Sequence, residues 1–326
     1  MARTAVRTVR TVRTLRDVRE VREVRDVPTV RFDSAGITLV GHLYTPQAPA
    51  PGPRPALVVG HPGTGVKEQT SGTYARLLAE RGFVTLAFDA AHQGESGGLP
   101  RGLEDPAQRV EDFKAAVSYL SALDEVDAGR IGLLGICASG SYALAATGTD
   151  RRVRAVAAVS TAEPARQFRL GADGTQDPAV FEALLDAAAA ARGEDPGALP
   201  VFPETAEQAH ALGGRHGAEG FAYYCTPRGE HERSAKTLAW ESVDRMALHD
   251  AFLAVPLIGP RPVLQIIGEH AVTAWMAVEA HQRATGPKEL HRIAGAGHVD
   301  LYDKEEYVAP AVDKLADFYT AHLATG

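Results

Sequence analysis

Leu133-Leu134-Gly135-Ile136-Cys137-Ala138-Ser139-Gly140 is the stretch that decides how this chain is read. The apolar run Ile131 to Ile136 suits a strand buried on both faces. It stops abruptly, and Tyr142-Ala143-Leu144-Ala145-Ala146 reads as a helix that begins at once. A strand that turns straight into a helix, with small residues two positions either side of a nucleophile, is a nucleophile elbow. The turn is too sharp for larger side chains at those flanks, here Gly135 and Ser139. Cys137 therefore holds the nucleophile position. Ser139 is a weaker rival, because its elbow would be flanked by Cys137 and Ser141 with glycine at neither.

Working outward, Thr29 to Asp33 and Ile37 to Tyr44 read as an antiparallel pair joined at Ala35-Gly36. Buried strands follow at Ala56 to Val59, Val84 to Phe88, Ile131 to Ile136 and Val153 to Val159. Helices are predicted between them, over Thr73 to Arg81 and over Pro106 to Leu123, where Val110, Phe113, Val117 and Leu120 keep helical spacing. Such alternation implies a mostly parallel sheet covered on both faces. After Ser160 the rhythm breaks for about a hundred residues, the mark of an inserted cap. It resumes with a strand at Pro262 to Ile267, a helix at Thr273 to Ala284, a strand at Glu289 to Ile293 and a terminal helix at Lys304 to Ala321. The predicted division is a tail over residues 1–27, a core over 28–160 and 256–326, and a cap over 161–255.

The tail repeats an apolar-Arg-x triplet from Val6 to Asp26, a period that gives neither helix nor strand a steady apolar face. It reads as a low-complexity, disordered extension; its acidic second half weakens the alternative of a basic binding arm. A net charge of −7 argues against a nucleic-acid binder. No apolar run approaches the ~18 residues of a membrane span, and the N-terminus lacks a signal-peptide pattern. Two distant cysteines, Cys137 and Cys225, give neither a disulfide framework nor metal-ligand spacing. A cytoplasmic enzyme without metal or cofactor is expected, with no membrane partner and a homodimer left open.

Elbow and strand order together resemble the α/β-hydrolase fold, and within it the dienelactone-hydrolase-like branch that uses a cysteine nucleophile. The resemblance spans roughly residues 28–324 and includes His61-Pro62-Gly63, Asp89-Ala90-Ala91-His92-Gln93-Gly94-Glu95-Ser96 and Gly295-Ala296-Gly297-His298. Tyr223-Tyr224-Cys225-Thr226-Pro227-Arg228-Gly229 is similar to a segment of an uncharacterised subgroup of these hydrolases. The resemblance also implies that Glu68 holds the resting cysteine; an ordinary carboxylate near a helix start is the alternative.

His298 follows the last strand in the expected order of nucleophile, acid and histidine, and is predicted to be the general base. The acid should follow the strand ending at Ile267, but Gly268-Glu269-His270-Ala271-Val272-Thr273 contains no aspartate. Glu269 is the first candidate and Glu279 a remote second. A Cys-His dyad with no acid also stands, because a thiol is far more acidic than an alcohol. The Ala138 N–H and one from Gly63 or Thr64 are predicted to form the oxyanion hole. Tyr223, Tyr224, Trp240 and Trp275 are candidates to line the pocket. The expected activity is hydrolysis of a small-molecule ester, lactone or thioester. A biosynthetic cyclase, lyase or acyl transferase, or a redox-sensing protein on the same scaffold, remain alternatives.

Overall fold

The computed structural model describes residues 27–49, 51–192 and 197–324, so the Arg/Val repeat up to Asp26 lies outside the described residues. Its main sheet is built from β1 (Thr29–Ser34), β2 (Ile37–Tyr44), β3 (Arg54–Gly60), β4 (Val84–Asp89), β5 (Val126–Ile136), β6 (Val153–Val159), β9 (Val263–Gly268) and β10 (Lys288–Ile293). The order across the sheet is β1-β2-β4-β3-β5-β6-β9-β10. β2 pairs antiparallel with both β1 and β4, and the remaining neighbours are parallel. Central strands are apolar throughout because helices cover both faces. Successive residues feed opposite cores: Leu133 and Val156 pack on one side, Leu134 and Ala157 on the other.

The first face carries α2 (Pro106–Ser121), α3 (Ala138–Thr149) and α8 (Ala274–Arg283); the second carries α1 (Thr70–Ala79) and α10 (Glu305–His322). α2 starts where its sequence says it should. The Asp105 carboxylate accepts from the N–H groups of Ala107 and Gln108, and Pro106 fills the first turn.

Between β6 and β9 lie α4 (Pro164–Leu170), α5 (Pro178–Ala190), β7 (Leu199–Pro200), α6 (Ala206–Tyr224), β8 (Thr237–Leu238), α7 (Glu241–Ala247) and a 3-10 turn, Ala251–Ile258. β7 and β8 pair with each other away from the main sheet. Among the described residues this segment has a small core of its own, Ala165, Leu238 and Met246, whereas Phe252, Val255 and Ile258 of the 3-10 turn belong to the main core. α6 opens with a capping box between Thr205 and Gln208 and is broken at Gly214, whose φ is 55°. Its second half runs over the carboxyl edge of the sheet, where chemistry concentrates in folds of this kind. A short α9 (Asp300–Asp303) precedes α10.

Candidate active site

The elbow forms as its small residues require. Cys137 has φ 55° and ψ −118°, a strained conformation for a non-glycine residue. Its backbone is held on both sides: its N–H donates to Val159 O, and its carbonyl accepts from Gly140 and Ala162. A Cβ at Gly135 would collide with the Ser139 carbonyl, so only glycine permits the return of the chain. The Cys137 sulfur meets the N–H groups of Ala138 and Gly63 and the hydroxyl of Tyr302. Burial pushes the thiol above its ordinary pKa, and the contacts with these three groups pull the other way without cancelling it.

Beneath the loop after β3 lies a buried polar frame. His61 Nε2 accepts from Ala90 N–H at 3.0 Å and from the Arg109 guanidinium at 3.1 Å. With both donors on Nε2, the ring proton is on Nδ1 and donates to Pro62 O at 2.6 Å. Burial, then Arg109, hold this imidazole neutral, well below its usual range. Arg109 also donates to His61 O and to Ser139 Oγ, and Ser139 Oγ donates to His61 O. The Ser139 hydroxyl is thus engaged by the His61 carbonyl and Arg109.

His298 is fully buried. Its Nδ1 is 2.5 Å from Thr273 Oγ1 and its Nε2 is 3.1 Å from the Tyr302 hydroxyl. Ser160 Oγ donates to its carbonyl at 2.9 Å, and Glu219 on α6 accepts from the N–H groups of His298 and Val299. His216, nearly one turn earlier on α6, packs edge-on against its ring with centroids 4.7 Å apart. Burial, reinforced by His216, pushes the His298 pKa well below 6.5. Cys137, Tyr302, His298 and Thr273 form one chain of polar contacts, closed over by the second half of α6.

Not every predicted residue joins this chain. Glu269 does not orient His298. Its backbone N–H extends the β9–β10 ladder to Ile293 O, and its exposed carboxylate accepts from Gly295 N–H at 2.9 Å. Thr273 stands where the acid was expected; its hydroxyl faces His298 and makes no cap bond to α8. Glu279 is paired with Arg166 and Arg283. Of the two oxyanion candidates after β3, Gly63 directs its N–H at the sulfur, while the Thr64 carbonyl accepts from Ser234 Oγ. Glu68 binds Lys67 and Arg233 rather than the cysteine. Burial would raise its pKa, but Lys67 and then Arg233 outweigh it and hold the carboxyl at about 2. Tyr223 and Tyr224 pack on Tyr302. Trp275 instead ties the cap down, donating to Ala172 O at 2.9 Å, and Trp240 heads α7.

Sequence reasoning missed Tyr302, Thr273, His216 and Glu219. Tyr302 lies four residues after His298, one turn on, a spacing that could have suggested a shared face.

Lys67 links three carboxylates at this edge. It is fully buried and bridges Glu68, Asp89 and Glu95. Asp89 is fully buried too. Lys67→Met would leave that carboxylate without its cation, and a loss of about 3–5 kcal/mol of stability is expected. Urea denaturation measures it; a loss below about 1 kcal/mol would show that the cluster is not a structural tie.

Among the described residues no helix is long and apolar enough to cross a membrane. The chain is 38% identical over 271 residues to the uncharacterized protein YcjY of Escherichia coli K12, covering 82% of this chain and 89% of that one. It is 30% identical over 306 residues to the thiohydrolase apmlB of Arthrinium phaeospermum, covering 89% and 94%. The crystal structure of the hypothetical protein PA2218 from Pseudomonas aeruginosa superposes with a TM-score of 0.84 at 35% identity, over 91% of this chain and 94% of that one. Residues 35–213 match the family described as X-Pro dipeptidyl-peptidase (S15 family). With a nucleophile elbow at the end of β5 and this strand order, the chain belongs to that family and is an α/β-hydrolase-type enzyme.

Proposed function

We propose that the protein hydrolyses an ester, lactone or thioester through a thioester acyl-enzyme on Cys137, in the manner of dienelactone-hydrolase-like enzymes. The observation that carries this reading is the sulfur's position: on a strained elbow, facing the N–H groups of Gly63 and Ala138 and one hydroxyl away from His298. In the attack the Sγ–H bond breaks, the Sγ–C bond forms and the proton passes to the base, His298. The carbonyl oxygen takes the negative charge, and the amides of Gly63 and Ala138 hold it. Collapse expels a protonated alcohol or thiol. Water then adds to the acyl-enzyme, again losing its proton to His298, and the carboxylic acid leaves as Cys137 is reprotonated.

The Thr273 hydroxyl, in place of a carboxylate, orients the imidazole without adding charge. That suits a thiol, which asks less of its base than a serine does. The similarity to a protein named as a thiohydrolase favours a thioester over an oxygen ester.

Hydrolysis and the alternatives of cyclisation or acyl transfer differ by one water. Full-length protein incubated with short-chain acyl thioesters is expected to yield the free acid and the thiol, with oxygen-18 from labelled water in the acid by mass spectrometry. Product of unchanged mass, or acyl groups found only on an added alcohol or amine, would contradict hydrolysis.

A further inference from the structure

The Tyr302 hydroxyl stands between the two groups that must exchange a proton. It is 3.1 Å from His298 Nε2 and within hydrogen-bonding reach of the Cys137 sulfur. In this closed arrangement the nitrogen that should serve the thiol is occupied by the phenol. The hydroxyl is not mobile: Tyr302 is buried, its ring held between Tyr223 and Tyr224, with centroids 5.2 and 6.5 Å away, and His298.

We infer that Tyr302 is a catalytic residue that relays the proton between Cys137 and His298. The inference rests on the acyl-enzyme reading above. During attack, the Sγ–H bond breaks as Tyr302 Oη takes that proton, and the Oη–H bond breaks as its own proton passes to His298 Nε2. The Sγ–C bond forms at the same time and the substrate carbonyl becomes the oxyanion. Tyr302 ends as the neutral phenol it began as. On collapse the bond to the leaving group breaks, and the leaving sulfur or oxygen takes a proton from Oη, which is refilled from Nε2. Deacylation of the enzyme by water follows the same route, with the water's proton travelling to Nε2 and back to Sγ.

The surroundings favour passing protons over storing charge. Burial, then the nearby thiol and Tyr224, keep the Tyr302 pKa well above 10, so a free phenolate is disfavoured. Burial likewise disfavours the imidazolium on His298. Concerted transfer avoids a free phenolate, and the imidazolium it leaves on His298 forms together with the oxyanion held by Gly63 and Ala138. His298 Nδ1–H donates to Thr273 Oγ1 in this scheme, which leaves Nε2 as the acceptor.

The test is pre-steady-state acylation by a chromogenic thioester in mixtures of light and heavy water. Wild-type protein is expected to give a burst whose rate depends on deuterium fraction as a curve, because two protons move in one step. Tyr302→Phe keeps the ring and is expected to slow the burst by about 10²-fold or more and to straighten that dependence. A burst within about threefold of wild type overturns the relay, as does a slowed burst that keeps the curve, which would mark a merely structural role. Should Tyr302→Phe fail to fold, a straight wild-type dependence overturns it and a curved one supports it. Failure of acid quench to trap an acyl group on Cys137 of wild-type protein during turnover removes the acyl-enzyme reading and the relay with it; a burst equally fast in both proteins removes the relay alone.

Discussion

Cys137→Ala is expected to lower kcat on short acyl thioesters and aryl esters by about 10⁴–10⁶-fold, the loss seen when a nucleophile is deleted from an intact site. Alanine keeps the elbow's steric demands small, and the donors around residue 137 remain in place. The Gly63 and Ala138 amides can still bind a carbonyl, so a residual rate above that in water should persist. Ser139 cannot take over. Its hydroxyl is engaged by His61 O and Arg109, and it points below the turn. Circular dichroism and a thermal melt should show wild-type folding. Hydrolysis at the wild-type rate by the folded variant would end the thiol mechanism.

The second large effect concerns His298. His298→Asn should lower kcat/KM by about 10²–10⁴-fold, the usual contribution of a general base. The wild-type pH profile carries the sharper signature. His298 works as a base only when neutral, and its pKa lies well below 6.5 because burial disfavours the imidazolium. kcat/KM should therefore hold as pH falls through 6.5 and decline only well below it. A descending limb centred at 6.5 or higher would mean that the working base is solvated or charge-paired, contrary to this site. Stability runs the same way. His298 and His61 are buried neutral, so below pH 6.5 the unfolded chain takes up protons that the folded chain refuses. Folding stability must fall with pH in that range, and activity should be read only where the fold is intact.

The elbow was legible because its geometry is written locally: an apolar run, small residues at fixed offsets and an immediate helix. The parallel strands were legible for a similar reason, since double burial leaves no polar alternation. The cap was harder to read. α6 is interrupted at Gly214, which destroys the helical period just before the residues that reach the site, and the aromatic cluster Phe221 to Tyr224 is its last turn. α5 is legible as the Ala-rich helix over Phe181 to Ala191, and α4 carries a signal in the pair Glu163-Pro164 at its start. The residue that faces His298 Nδ1 is not legible in the sequence, because position after a strand does not fix proximity. Glu269 is next in sequence to the end of β9, yet the ladder continues through its N–H and leaves the carboxylate at an exposed edge. Thr273 reaches His298 only because the chain turns back before α8. The spacing from His298 hints at a shared face for Tyr302, but its reach to the sulfur follows only from α9 lying against Tyr223 and the elbow.

The central claim is that the acyl group rests on the sulfur of residue 137. The most direct measurement is rapid acid quench of full-length protein turning over a short acyl thioester, followed by protease digestion and peptide mass mapping. The peptide containing Cys137 should carry the acyl mass, and treatment with neutral hydroxylamine should remove it as a thioester. An acyl group mapped to Ser139 or any other residue, or no adduct at all while product forms in a burst, would contradict the account.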